Sequence, residues 1–251
     1  MYQFFVKPEQ IQGNTVRIEG GDVNHIRNVL RMKIGEEIAV SNGEDGKEYH
    51  CQVERFDEDE VICTILSVRE DSAELPSRIF LFQGLPKGDK MELIIQKAVE
   101  LGVYAIIPVS TKRCVVKLDA KKEKSKIARW QQIAEAAAKQ SKRGIVPQVR
   151  NVMSIQEAVR YASSMEVRLF PYEHAEGMKR TRELIESVRP GQNIAVFVGP
   201  EGGFEEKEVE MAEREGFEAI TLGKRILRTE TAGFTVISWL MYQLEGQCGT
   251  E

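Results

Sequence analysis

The hydrophobic pattern of the chain changes near residue 78, and this change limits the folds that the sequence can adopt. Before it, short segments alternate apolar and polar residues, as half-buried strands do; these segments are YQFFV, TVRIE, EIAVSN, EYHCQVERF and VICTILSV. After Arg78, short apolar runs alternate with helical periodicities, which is typical of βα units on a mostly parallel sheet. Between the two parts lies the polar, proline-containing segment REDSAELPS. We therefore predict a β-rich domain over residues 1–72, a linker, and an α/β domain over residues 73–251.

One helix is expected to interrupt the β-rich part. It would begin near Asp22, a residue type that caps helices, and place Ile26, Val29 and Leu30 against the sheet. Arg27 and Arg31 would then project together, one turn apart. The last helix, residues 231–244, is apolar almost all the way round (TAGFTVISWLMYQL). Such a helix has to be buried in a core or between subunits, and we favour a subunit interface.

Positive charge is concentrated in one segment of an otherwise acidic chain. The formal net charge is -4, yet residues 112–143 contain 11 basic and 3 acidic side chains. This asymmetry is expected when a defined patch meets RNA. A solvated lysine-rich helix explains the same charge without any partner, so the charge alone leaves both interpretations open.

Two glycine-containing turns follow two late strands, where open α/β sheets bind their ligands. The first is VGPEGGF, residues 198–204, and the second is LGKRILRTETA, residues 222–232. Because they fall on consecutive late strands, we expect these strands to be neighbours. Glycine permits close approach of the backbone to a planar ligand. Neither turn matches the dinucleotide or phosphate-loop fingerprints, which disfavours a nucleotide triphosphate or a dinucleotide. A phosphate-free ligand with an adenine edge and a sulfonium fits better, although GPEGG alone is also compatible with an ordinary tight turn.

The strings GPEGGF and LGKRILRTETA resemble the cofactor loops of the SPOUT class of methyltransferases, and specifically of the RsmE family, which makes 3-methyluridine in 16S ribosomal RNA. Further similar strings are HIRNVLRMKIGEEI, KGDKMELIIQKAVELGV and IAEAAAKQSKR, so the resemblance spans most of the chain. It implies a small PUA-like β-barrel domain followed by a SPOUT domain, whose mostly parallel sheet is tied in a trefoil knot. It also implies S-adenosyl-L-methionine as cofactor, 16S ribosomal RNA or the small ribosomal subunit as partner, and a homodimer.

Candidate catalytic residues lie in the two loops. Arg228 would hold a uracil oxygen as negative charge develops on it. Glu230 and Glu201 could each accept the imino proton if partial burial raised the pKa. Alternatively, Glu230 only favours the helix N-terminus and Glu201 only fixes its loop.

The resemblance places the cofactor against the ends of three late strands and the loops that follow them. The expected cofactor-binding residues are Leu169, Phe170, Pro171, Val198, Gly199, Pro200, Glu201, Gly202, Gly203, Leu222, Gly223, Ile226, Leu227, Arg228, Thr231 and Ala232. The expected RNA-binding residues are mainly cations, which would position the substrate through its phosphates. They are His25, Arg27, Arg31, Lys87, Lys112, Arg113, Gln140, Lys142 and Arg143.

Other functional classes receive less support from the sequence. The four cysteines and three histidines are scattered without ligand spacing, so neither a metal site nor a disulfide framework is expected. No secretion signal or membrane-length apolar stretch is found, and we expect a cytoplasmic protein without a membrane partner. The remaining alternatives are another SPOUT activity, on a ribose 2′-hydroxyl or on transfer RNA, and a non-catalytic RNA-binding assembly factor.

Overall fold

The computed structural model of the chain describes residues 1–70, 73–175 and 177–247. The chain forms two compact units, one of residues 1–74 with 138–146 and the other of residues 75–137 with 147–251. Residues 138–146 thus return to the unit that the N-terminal residues build, a feature that the sequence did not predict. The domain boundary between residues 72 and 73 stays a prediction, and two residues of the proposed linker, 71 and 72, lie outside the described residues.

The first unit is a curled six-stranded sheet, in the order β1-β4-β5-β6-β3-β2. Its strands are β1 (Gln3–Phe5), β2 (Ile11–Gln12), β3 (Thr15–Glu19), β4 (Glu37–Ser41), β5 (Glu48–Phe56) and β6 (Glu60–Arg69). The β1 and β4 strands pair in parallel and the others pair antiparallel. Alternate residues such as Val16, Ile18 and Ile38 face a shared apolar core, which is the burial that the period-2 pattern predicted. The expectation of a small PUA-like β-domain is confirmed.

The predicted helix of this unit is shorter and wound differently than expected. A helical turn α1 (Gly21–Asn24) runs into a π-helical turn over His25–Val29, in which the Leu30 amide donates to the His25 carbonyl at 2.9 Å. The wider winding rotates later residues around the axis. Ile26 is therefore buried as predicted, but Val29 is 61% exposed and its predicted place against the sheet is wrong. The helix has ended at Arg31, whose φ is +54°, so Arg27 and Arg31 do not continue one helical face.

The second unit contains a seven-stranded sheet in which every described pairing is parallel. Its strands are β7 (Arg78–Gly84), β8 (Ala105–Ser110), β9 (Gln148–Val149), β10 (Met153–Ser154), β11 (Val167–Pro171), β12 (Asn193–Val198) and β13 (Glu218–Ile220). The order is β10-β8-β7-β12-β11-β13, and β9 also pairs with β8. The expected α/β fold with a mostly parallel sheet is confirmed. The trefoil knot concerns how the chain threads, which strand order does not report, and it stays a prediction.

Six helices accompany this sheet in the described part of the chain, and the last residues of α3, 138–140, belong to the first unit. They are α2 (Lys90–Glu100), α3 (Ala120–Gln140), α4 (Ile155–Ala162), α5 (Met178–Ser187), α6 (Glu206–Arg214) and α7 (Thr229–Glu245). The last of them, α7, buries Val236, Ile237 and Leu240 on one side. Its opposite side is open, with Tyr242 80% exposed, so the helix is not enclosed within this chain. No helix among the described residues is long and apolar enough to cross a membrane.

The described cysteines make no disulfide. Cys51 and Cys63 are buried on β5 and β6, and burial raises the pKa of each thiol to about 12. Cys114 is partly exposed, and Cys248 lies outside the described residues. Within the described ranges, no group of three or more His, Cys, Asp and Glu side chains could hold a metal ion.

Candidate active site

A cavity of about 440 Å³ lies at the carboxyl ends of β11, β12 and β13. The loop after each of these strands contributes to its wall. The strand β11 pairs with both β12 and β13 and separates them, so the prediction that the two glycine turns follow neighbouring strands is wrong. The turns still meet in one cavity, because all carboxyl ends of a parallel sheet lie at the same edge.

Most of the expected cofactor-binding residues line this cavity. They are Pro171, Val198, Gly199, Pro200, Glu201, Gly203, Leu222, Gly223, Ile226, Leu227, Arg228 and Ala232. Four others do not line it. Leu169 and Phe170 are buried in the core of the unit because they lie within β11, before its end. Gly202 packs against Arg113, and Thr231 is exposed on the first turn of α7.

The cavity wall also includes residues that sequence reasoning missed. These are Lys90, Tyr172, Glu173, Phe204, Thr221, Lys224, Arg225 and Thr229. Tyr172 and Glu173 follow β11 directly, and position at a strand end was a signal that could have found them. Lys90 could not be found in this way, because it begins α2 and reaches the cavity only through the packing of the β7–α2 loop.

Close backbone packing explains why glycine occupies two positions beside the cavity. A Cβ atom on Gly84, at the end of β7, would lie 2.6 Å from Pro200 Cδ and 2.7 Å from Pro200 N. A Cβ atom on Gly199 would lie 3.1 Å from the Gly203 backbone. The turn is therefore folded tightly on itself and against the neighbouring strand end, which leaves its outer backbone surface to the cavity.

The Glu201 carboxylate joins the glycine turn to the β7–α2 loop. Its Oε1 accepts hydrogen bonds from Lys90 Nζ at 2.6 Å and from the Lys87 amide at 3.1 Å. Burial raises the pKa of Glu201, but the hydrogen bonds from Lys90 and from backbone amides outweigh burial and hold the pKa below its ordinary value. A carboxylate with a lowered pKa is a poor proton acceptor, so this geometry supports the loop-fixing interpretation over the catalytic one.

Arg228 and Glu230 flank the start of α7 and differ in exposure. Arg228 precedes the first turn of α7, is exposed and lines the cavity, and its guanidinium makes no ion pair with the described residues. Glu230 lies in the first turn of α7 and does not line the cavity. Its Oε2 is buried and has no hydrogen-bond donor among the residues that the structure describes.

Three expected RNA-binding residues, Lys87, Lys112 and Arg113, are exposed on loops of the second unit. The Lys112 amide donates to Glu208 Oε1 at 2.8 Å, which fixes the backbone of its loop and leaves the ammonium in solvent. Arg113 Nη1 donates to the Gly202 carbonyl at 2.9 Å. Arg113 thereby connects the basic segment to the glycine turn.

The other expected RNA-binding residues belong to the first unit. His25, Arg31, Gln140 and Lys142 are exposed. Arg27 is partly buried, and its guanidinium donates to the backbone carbonyls of Glu58 at 3.0 Å and Glu60 at 3.4 Å.

Arg143 differs from these residues, because its side chain is only 2% exposed and forms an ion pair with Glu74. The expectation that Arg143 contacts RNA does not fit this burial, since its guanidinium does not reach the surface. Lys142 and Arg143 are adjacent in sequence, yet Lys142 is exposed and Arg143 is buried.

Comparisons with known proteins agree with this geometry. The family model described as RNA methyltransferase domain matches residues 73–241, and that described as RNA methyltransferase PUA domain matches residues 18–66. Ribosomal RNA small subunit methyltransferase E of Bacillus subtilis (strain 168) is 38% identical over 251 residues, with 98% of each chain covered.

Two solved structures of similar proteins contain the cofactor that the sequence suggested. One is a ribosomal RNA small subunit methyltransferase E from Neisseria gonorrhoeae bound to S-adenosyl methionine, with 35% identity, 95% coverage of each chain and a TM-score of 0.81. The other, from Legionella pneumophila, is in complex with the same cofactor. It shows 34% identity, coverage of 95% of this chain and 96% of its own, and a TM-score of 0.82.

Proposed function

The chain belongs to the family of ribosomal RNA small subunit methyltransferase E, and from this premise we propose that it methylates N3 of a specific uridine in 16S ribosomal RNA. The methyl donor is S-adenosyl-L-methionine. The observation that carries the proposal is the convergence of three strand-end loops, two of them glycine turns, on one cavity without a phosphate-binding fingerprint. Similar proteins with bound cofactor support the choice of methyl donor.

The residues around the cavity fit an adenosyl sulfonium. Tight packing of Gly199 and of Gly84 against the turn brings backbone groups to the cavity wall, where they can pair with an adenine edge. Apolar side chains of Leu222, Ile226 and Leu227 supply surface for a planar ring. The bound cofactor supplies an electrophilic methyl group.

We assign the charge-stabilising role to Arg228. Uridine N3 carries a proton at neutral pH, so the site has to remove this proton or stabilise the anion that forms. The exposed Arg228 guanidinium beside the N-terminus of α7 can hold a uracil oxygen as negative charge develops on it. Of the two carboxylates, Glu201 is engaged by Lys90 and Glu230 does not line the cavity, so we propose that Arg228, rather than either carboxylate, carries the stabilisation of the anion.

We propose that RNA contacts only those expected RNA-binding residues whose side chains are exposed. On the second unit these are Lys87, Lys112 and Arg113, and on the first unit His25, Arg31, Gln140 and Lys142. Arg27 contributes less, because its guanidinium is bonded to β5–β6 carbonyls. Most of these contacts are to phosphates and should weaken as salt rises.

The open side of α7 supports a homodimer. Trp239 and Tyr242 line a groove with Met178 and Ile185 of α5, and its other lining residues are polar: Thr181, Arg182, Glu186 and Gln243. Burying it against a second copy removes apolar area from water.

Two measurements test the proposed function. Calorimetry with S-adenosyl-L-methionine should give saturable heat, and mass spectrometry of ribosomal RNA nucleosides from cells lacking the protein should show loss of one 3-methyluridine. Absence of saturable heat would favour a non-catalytic RNA-binding factor. Loss of a 2′-O-methylated nucleoside, or of a transfer RNA modification, would instead assign another methylation.

A further inference from the structure

A chain of hydrogen bonds lies behind the cavity and connects three separate segments of the second unit. Gln83 is fully buried, one residue before the end of β7. Its Nε2 donates to the Gly84 carbonyl at 2.9 Å and to Thr229 Oγ1 at 2.9 Å. Thr229 Oγ1 in turn donates to the Gly199 carbonyl at 2.6 Å. The direction of these bonds is consistent, because both carbonyls can only accept and the Thr229 hydroxyl uses its single proton on Gly199.

The two ends of this chain are parts of the cavity wall. Gly199 begins the first glycine turn, and Thr229 is the first residue of α7, next to Arg228. Gln83 itself does not line the cavity. It is connected to the cavity wall through its hydrogen bond to Thr229.

The fold alone does not require a glutamine at this position. The other residues of β7 from Ile79 to Phe82 are apolar and buried, and a Met would fill the same space. The Gln83 Oε1 is buried without a hydrogen-bond partner in the described structure, which is unfavourable. The unsatisfied oxygen makes the buried amide unfavourable. Its presence is explained if the hydrogen bonds that its NH2 group donates have a role that an apolar side chain cannot fill.

We propose that Gln83 is a positioning residue for the cofactor cavity, acting through Thr229 to hold the Gly199 carbonyl and the first turn of α7 in one arrangement. This inference rests on the proposed function. Without the donor from Gln83, the Thr229 hydroxyl can rotate away from Gly199, and the two walls lose their fixed spacing. Binding sites lose affinity when the groups behind them no longer hold the contact residues in place.

The test compares five variants of the full chain by calorimetry with S-adenosyl-L-methionine and by RNA filter binding. Gln83→Met keeps the volume but removes the donor, and Thr229→Val keeps the shape but removes the hydroxyl. The double variant combines the two, and Thr229→Ser keeps the hydroxyl. Ser77→Ala is the matched control: Ser77 is also buried and starts the same strand region, and its hydroxyl bonds the Arg189 carbonyl far from the cavity.

We expect Gln83→Met and Thr229→Val each to weaken cofactor binding about tenfold, as loss of one buried hydrogen bond does. The double variant should be no weaker than either single variant, because all three interrupt one chain of bonds. Thr229→Ser should bind within about twofold of the wild type, Ser77→Ala should bind as the wild type does, and RNA affinity should be unchanged in all five.

Three results would overturn the inference while leaving the proposed function intact: wild-type cofactor affinity in Gln83→Met, multiplying losses in the double variant, or a Thr229→Ser variant as weak as Thr229→Val. If the wild-type chain itself gave no saturable heat with the cofactor, the proposed function and this inference would fail together. Because Thr229 and Gln83 are altered in separate variants, the inference can still be tested with one of them if the other misfolds.

Discussion

Hydrogen-bond partners, rather than residue type, separate the roles of the two loop carboxylates. Glu201 lies in the first glycine turn and Glu230 in the first turn of α7, and the sequence gives no reason to prefer either as the proton acceptor. In the structure Glu201 is engaged by the Lys90 ammonium and the Lys87 amide, whereas Glu230 Oε2 has no donor among the described residues. The same reasoning distinguishes Arg228, which is exposed, from Arg143, which is buried against Glu74.

Replacing Glu201 with Gln should lower stability slightly, and only above acidic pH. The pKa of Glu201 in the folded protein lies below its ordinary value of about 4.3, so its ion pair stabilises the fold above that pH. This stabilisation is lost as the pH falls through the lowered pKa. We expect a difference of less than about 1 kcal/mol at pH 7, because the pair is partly exposed.

Urea unfolding of the wild type and Glu201→Gln at pH 7 and pH 3 measures this difference. The difference should shrink at the lower pH. Glu206→Gln, an exposed carboxylate in the first turn of α6, serves as the control. An equal difference at both pH values would show that the ion pair with Lys90 is not the source of the effect.

At the scale of elements, the end of β7 determines how closely the glycine turn can pack. The turn folds against Gly84, where the backbone of Pro200 occupies the space of a side chain. Gly84→Ala should therefore destabilise the second unit by about 1–3 kcal/mol, the usual cost of overpacking. It should also weaken cofactor binding, since the displaced residues include Pro200 of the cavity wall.

Thermal unfolding and calorimetry check both parts of this prediction. Gly21→Ala provides a control, because a Cβ atom there meets nothing within 4 Å and the backbone φ is ordinary. The control should change stability by no more than about 0.5 kcal/mol. Normal cofactor affinity in Gly84→Ala would mean that the turn can move without disturbing the cavity.

The segment after α3 places two neighbouring cations in different environments. The Arg143 side chain and the Ile145 amide both bond the Glu74 carboxylate, which fixes this segment in the first unit. Lys142 is exposed with φ of +58°, an unusual backbone conformation for lysine. Its side chain is directed outward while that of its neighbour is buried.

Arg143→Met and Lys142→Met should therefore have different effects. Arg143→Met leaves a nearly buried carboxylate without its guanidinium and should cost about 3 kcal/mol of stability. Lys142→Met should leave stability within about 0.5 kcal/mol of the wild type and lower the salt slope of RNA binding by about 1. Denaturant unfolding measures the stability of both variants, and filter binding at several salt concentrations measures the salt slope. A stable Arg143→Met variant, or a destabilised Lys142→Met variant with an unchanged salt slope, would contradict this prediction.

At the scale of the whole molecule, the exposed side of α7 is the surface through which we propose that two copies of the chain associate. The groove between α5 and α7 presents apolar side chains of Met178, Trp239 and Tyr242, and the proposed homodimer would cover them. Tyr242 is 80% exposed, so its replacement should not disturb the fold of a single chain.

Tyr242→Glu should weaken self-association by at least tenfold, because it places a charge in the groove that the second copy is proposed to cover. Analytical ultracentrifugation over a concentration series measures the effect. Lys179→Glu, on an α5 side chain that is 91% exposed and outside the groove, is the control. Unchanged association in Tyr242→Glu would exclude this surface as the dimer contact.

The sequence by itself determined the two-part architecture, most strands and the region of the cavity. Strand position follows from hydrophobic periodicity, which is local, and glycine turns at strand ends indicate a ligand edge before any tertiary contact is known. Twelve of the cofactor residues that the family resemblance implied line the cavity. Val29 was misplaced because a π-helical turn changes the period on which the prediction depended.

Only the tertiary structure decided which side chains could act. It placed β11 between the two glycine-turn strands, added Tyr172 and Lys90 to the wall, and connected Gln83 to Thr229 across 146 positions of sequence. It also buried Arg143 beside the exposed Lys142. Burial and hydrogen bonding between residues distant in sequence leave no periodic pattern in the sequence. The partners of the Glu201 carboxylate, the Arg143 guanidinium and the Gln83 amide therefore follow only from the tertiary structure.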